Sequence, residues 1–204
     1  MRYLLCLLIV AWCGSRAWAE EDYVPLALGT QWTMTLTDVS PKGQTTSGTY
    51  REAITGTVKM NGHKYFRLEQ SLKWKSPAPK VDDVKPATHI ALVRKTPSAY
   101  YSTEQTGTGL KEGVIYQLPL KSGVTQNVNW ASKNRNRKIT ILGKETINVS
   151  GHTYKDCYHV RVVYAVGNIR NLWLAPGIGR VLVKTVYPDG YKTTFALADY
   201  KSGK

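Results

Sequence analysis

One pattern recurs along this 204-residue chain and narrows the folds open to it. Pro25-Leu26 with Gly29 is followed by Gly62-His63-Lys64-Tyr65, and later Pro119-Leu120 with Gly123 is followed by Gly151-His152-Thr153-Tyr154. Residues that recur at matching places in two halves, here about 20–104 and about 113–200, build a repeated fold in preference to a single catalytic centre.

The segments between these motifs read as strands. Trp32, Met34 and Leu36 alternate with threonines, a period of two that gives a strand buried on one face. Asn61-Gly62 is a strong hairpin signal, because both positions tolerate positive φ in a type I′ turn. Thr96-Pro97-Ser98 and Pro188-Asp189-Gly190 supply further turns. About twelve candidate strands follow at the spacing of a sheet protein, and no window shows a capped helical stripe of three turns; the 81–91 stretch comes nearest. The expected fold is all-β and mainly antiparallel, with few or no helices. An antiparallel sheet of more than about ten strands must curl, close or split, so a strongly curved sheet or half-open barrel of two similar halves is expected, with a two-sheet sandwich as the alternative. The polar segment from Glu104 to Glu112 reads as the connection between halves, and Ser76 to Pro86, rich in proline and lysine, as the longest loop.

The chain start has its own signature. Met1-Arg2-Tyr3, an apolar run from Leu4 to Trp12 and Ala17-Trp18-Ala19 before Glu20-Glu21-Asp22 describe a secretory signal over residues 1–19, with a single β domain over 20–204. The run is shorter than the roughly 20 apolar residues a spanning helix needs, and no later run reaches that length. Trp12 disfavours a lipid anchor on Cys13, so the protein is expected to be exported, periplasmic or secreted. Cys6 and Cys13 leave with the signal, so Cys157 stands alone and reads as a small apolar side chain in an alternating strand.

The full chain carries a formal charge of +14. Such an excess draws anionic partners; export disfavours nucleic acid among them. The densest basic cluster, Lys133, Arg135, Arg137 and Lys138, is the candidate anion-binding strip, since alternate residues of an extended segment share a face. Trp32, Trp130 and Trp173 are the candidate apolar or aromatic surface, able to line a groove or to fill a β core.

Catalytic signatures are missing from the sequence. His63 and His152 follow glycines at turns and lack the close ligand spacing of a metal motif. No G-x-S-x-G is present, and Asp82-Asp83, as neighbours, would point to opposite sides of a strand. No cofactor or metal is expected, and no catalytic residue is assigned.

Tyr23-x-Pro25-Leu26-x-x-Gly29-x-x-Trp32 near the start and Trp173-x-Ala175-Pro176-Gly177-x-Gly179 near the end resemble an uncharacterised family of exported bacterial β-proteins, distantly similar to the LolA and LolB lipoprotein carriers. The resemblance implies an unclosed, curved antiparallel barrel with an apolar concave face, and it transfers no functional residue. The helical lid of those carriers has no counterpart here outside the 81–91 stretch. The expected function is therefore a non-catalytic envelope protein that holds an apolar ligand, such as a lipid or lipoprotein, or a protein partner on a curved sheet. The alternatives are a module for anionic envelope polymers or lipid headgroups, and a hydrolase with a dispersed site.

Overall fold

The computed structural model describes residues 21–75, 88–106, 109–129 and 136–204. The segment expected to be a signal, the stretch 76–86 expected to be the longest loop, Asp82-Asp83, Trp130, Lys133 and Arg135 lie outside the described residues. Those described form twelve antiparallel strands and no helix. In chain order they are β1 (Gln31–Val39), β2 (Thr45–Met60), β3 (His63–Trp74), β4 (His89–Lys95), β5 (Ala99–Thr106), β6 (Gly109–Gln117), β7 (Thr125–Val128), β8 (Arg137–Val149), β9 (His152–Tyr164), β10 (Ile169–Ala175), β11 (Gly179–Val186) and β12 (Lys192–Lys201).

All twelve belong to one sheet, in the order β6-β5-β4-β3-β2-β1-β12-β11-β10-β9-β8-β7. Each strand pairs with its neighbour in sequence, except that β12 closes on β1 and the ladder is broken between β6 and β7. The result is an up-and-down barrel, nearly closed, with a seam halfway along the chain. A single curled sheet thus replaces the sandwich alternative. Bulges at Thr33/Met34, Ile54/Gly56, Tyr100/Tyr101, Ile141/Gly143 and Trp173/Leu174 add local bend and twist, which lets a sheet of this width curl.

The repeated motifs take corresponding places in two arms, β1–β6 and β7–β12. Each proline-leucine segment precedes the first strand of its arm, and each Gly-His turn joins the second strand to the third. Both turns have paired positive φ, Asn61 at 51° with Gly62 at 76° and Ser150 at 50° with Gly151 at 83°, the type I′ geometry whose twist matches the flanking strands. The segment from Glu104 to Glu112 is not a connector. It contains the end of β5 and the start of β6, a hairpin whose short polar strands lack the apolar alternation that marks the others. The connection between arms is instead Leu118 to Val124, entered through a cis Leu118–Pro119 peptide.

Two apolar clusters line the inside of the barrel. One gathers Ile139, Ile141, Val160 and Leu174; the other gathers Trp32, Met34, Ile54, Val181 and Leu197. Fully burying a side chain of this size contributes about 1.5–3 kcal/mol, so the inward face of the curl is where most of the stability arises.

Candidate functional site

The barrel encloses a lumen of about 200 Å³. Ten of the strands and the segment before β1 contribute to its wall. Ile54, Leu68, Val93, Ile139, Val162 and Leu172 form its apolar surface. Against that surface stand four charged side chains: Glu52 of β2, Arg137 of β8, Arg170 of β10 and Arg180 of β11.

Arg180 reaches the lumen through a bulge. Trp173 pairs with Leu182, whereas the next residue, Leu174, pairs with Arg180, so Val181 is an extra residue on β11. Plain alternation would put Arg180 on the face opposite to Val183; the bulge puts both inside. Gly179, at φ +85°, makes the entry to this bulge, a backbone state that costs a residue with a Cβ about 1–2 kcal/mol. Arg180 donates to Glu52, which is 2% exposed, while 34% of the Arg180 side chain remains accessible. Since Arg180 lies within the barrel, that accessible surface is the wall of the lumen. Burial alone would depress the Arg180 guanidinium, but Glu52 and the phenols of Tyr50, Tyr116 and Tyr100 outweigh it and hold the charge firmly in place. Glu52 is held further by Tyr50 Oη at 2.9 Å and Gln70 Nε2 at 2.6 Å.

Arg170 donates through Nε to Thr185 Oγ1 at 3.1 Å, and its guanidinium lies 5.4 Å from the centre of the Tyr164 ring. Arg137 reaches across the seam, donating to the Val114 carbonyl of β6 at 3.4 Å. Burial pulls its guanidinium below the ordinary arginine value, and the Arg170 charge acts in the same direction. The three arginines share the lumen wall with Tyr116; burial drives that phenol above the ordinary tyrosine range, against the opposing charges of Arg180, Arg137 and Arg170. Tyr100, its ring stacked on Tyr116 at 6.1 Å between centres, is raised by burial as well.

One mouth of the lumen is crossed by a strap, residues 21–26. Asp22 meets Lys95 Nζ at 2.6 Å and Glu21 meets Lys144 Nζ at 3.1 Å. The Asp22 carbonyl accepts from Gly177 N–H, and the Val24 carbonyl from Lys95. Tyr23 packs edge-on to Tyr158 with 4.7 Å between centres and donates to Glu21 and to the Asp156 carbonyl. Tyr23 faces the lumen on one side and, on the other, an outer cavity of about 650 Å³ bounded by Leu118–Leu120, Lys95 and Lys144.

The residues singled out from sequence are dispersed. Arg137 lines the lumen, whereas Lys138, the next residue, is exposed; the two stand on opposite faces of β8. Trp32 is 7% exposed, borders the lumen and donates from Nε1 to the Ile178 carbonyl at 2.6 Å. Trp173 lies on the face of β10 opposite to Leu172 and Leu174. There its indole stacks on His159 at 4.4 Å, donates to Glu145 and lies under Lys184. His159 completes that outer cluster with Glu145 at 3.2 Å and Asn171 at 3.1 Å. Sequence reading missed Arg170 and Arg180. Arg170 shares the parity of Leu172 and Leu174 and could have been found by it; Arg180 could not, without knowledge of the bulge.

Fold and lumen together define a class: an up-and-down antiparallel barrel with an open mid-chain seam and a strapped mouth. Residues 110–202, which take in nearly all of β6 and every strand of the second arm, match the family described as protein of unknown function DUF3108. No curated protein matches the chain. Two solved structures share the fold. A candidate exported protein with a YmcC-like fold from Bacteroides fragilis is 12% identical with a TM-score of 0.50, over 89% of this chain and 100% of the other. A candidate lipoprotein from Parabacteroides distasonis is 10% identical with a TM-score of 0.51, over 89% of this chain and 99% of the other.

Proposed function

We propose that this protein is an exported, non-catalytic binding protein of the cell envelope that holds a ligand with an apolar body inside its barrel. The observation that carries the reading is the lumen itself, whose aliphatic wall leaves a space of about 200 Å³ among the described residues. Apolar cavities with a few placed polar groups are the usual form of a small-molecule site. The signal-like start, the description of the Bacteroides neighbour as exported and that of the Parabacteroides neighbour as a lipoprotein support the location. The motif resemblance to LolA and LolB carriers fits the same reading, with a strap of extended chain where those carriers use helices.

Two measurements on the full mature protein test this. Native mass spectrometry of protein purified without detergent is expected to show a bound small molecule that is lost on unfolding. A neutral apolar dye such as Nile red is expected to bind at one site and to be excluded when Leu172→Trp fills the lumen. Dye binding unaffected by Leu172→Trp, in a variant that melts like the parent, would place the dye elsewhere and defeat the reading.

A further inference from the structure

The lumen has an electrostatic character that an apolar ligand alone does not explain. Among the described residues that line it, three guanidiniums stand with one carboxylate, a formal charge of +2 on this lining. Placing positive charge in a largely apolar, partly dehydrated interior is costly unless something compensates it. Glu52 compensates Arg180. Arg170 is held by a neutral hydroxyl and an aromatic face, contacts that orient a guanidinium without neutralising it. The Tyr100 and Tyr116 phenols stay protonated in this setting and so present hydroxyls, not repelling phenolates.

We infer that the lumen takes an amphipathic anion: an oxyanion head, carboxylate or phosphate, seated between Arg170 and Arg180, with a short apolar body against Ile139, Val162 and Leu172. This rests on the binding reading above and names the ligand class of that site. Guanidinium forks match planar and tetrahedral oxyanions with two parallel hydrogen bonds. Arg170 of β10 and Arg180 of β11 stand on neighbouring strands of the same lumen wall, which places an oxyanion seated between them within reach of both forks. The size is bounded as well. A lumen of about 200 Å³ is below the roughly 300–1,000 Å³ of drug-sized sites, so the body is short or extends past Tyr23 into the outer cavity.

The test is a calorimetric titration of the full mature protein with four probes of one chain length: octanoate, octyl phosphate, octanol and octyltrimethylammonium. Octanoate or octyl phosphate is expected to bind at least tenfold more tightly than octanol, with the ammonium weakest; the better of the two anions identifies the head. Arg170→Gln is expected to lower the anion affinity at least tenfold while leaving octanol unchanged, and Arg170→Lys to restore part of it. The pair of changes Glu52→Gln with Arg180→Gln, which leaves no lone buried charge, is expected to act in the same direction. Octanol binding as tightly as the anions would overturn the inference yet leave the apolar-ligand reading standing. No binding by any of the four would overturn both. The wild-type probe series decides the matter even if a variant fails to fold.

Discussion

Arg180 of β11 donates to the Glu52 carboxylate of β2 inside the barrel, joining residues 128 apart in sequence across the β1–β12 closure. The pair ties the two arms together from within, and Tyr50 and Gln70 complete the shell of the carboxylate. Removing one partner strands the other charge in a poorly hydrated place. Glu52→Gln is therefore expected to destabilise the fold by about 2–3 kcal/mol, somewhat below the figure for a fully buried pair, since the lumen wets part of Arg180. Denaturant unfolding followed by tryptophan fluorescence measures it; a change within a few tenths of a kcal/mol would mean that the lumen hydrates Arg180 fully.

Gly179 is required by the bulge. Its φ of +85° excludes most side chains, and an added Cβ would lie 3.3 Å from Pro25 Cδ of the strap. Gly179→Ala is expected to cost about 1–2 kcal/mol from the backbone alone, a fall in melting temperature of about 2–8 °C for a domain of this size. Circular dichroism melts check the value. Faster hydrogen exchange at the strap amides should accompany it.

Much of this was legible in the sequence, for a physical reason. Alternation and Asn-Gly or Ser-Gly turns are local signals, so the strand count, the antiparallel class and the curled sheet follow from them. What escaped detection depended on contacts between distant residues. Arg180 looks outward by parity and becomes internal only because Val181 is inserted opposite a continuous β10. Arg137 and Lys138 look like one basic strip, yet strand pleating sends them to opposite faces. The hairpin of β5 and β6 was hidden because its apolar residues are few, and its outer face is held by a clamp: Arg94 binds Glu112 through two contacts of 2.5 Å while Tyr65 donates to the same carboxylate at 2.6 Å.

That clamp gives the stability a pH dependence of known sign. Burial works to raise the Glu112 pKa, but Arg94 and Tyr65 outweigh it and leave it below the ordinary value. Glu21 is lowered too, by Tyr23 and then Lys144. A carboxylate depressed in the folded state contributes stability above its unfolded pKa of about 4.3, and the contribution is lost as pH falls through the lower folded value. Stability is thus expected to hold from neutrality to about pH 5 and then to decline. The decline should be shallower in Glu112→Gln; urea midpoints at a series of pH values test this, and equal slopes in the two proteins would remove Glu112 from the account.

Cys157 is fully buried among Ala175, Val181 and Ile147. Burial first, and then Asp156 and Glu145, push its thiol up to about 11. Only the thiolate attacks an alkylating reagent, so labelling by iodoacetamide at about pH 8 is expected to be at least about a hundredfold slower in the native protein than in denaturant. Mass spectrometry of timed reactions reads this directly. Rapid native labelling would show that the surrounding cluster opens readily.

The closure of β12 on β1 has a consequence for the growing chain. Every other ladder forms between strands adjacent in sequence, so each can pair as soon as its neighbour is made. β1 is the exception: one of its edges stays bare until the last strand arrives, with Trp32, Met34 and Leu36 on the same strand. A bare edge beside large apolar side chains invites pairing with other chains. For most of synthesis this strand therefore stands with one edge open to pairing with other chains, and only the arrival of β12 removes that edge.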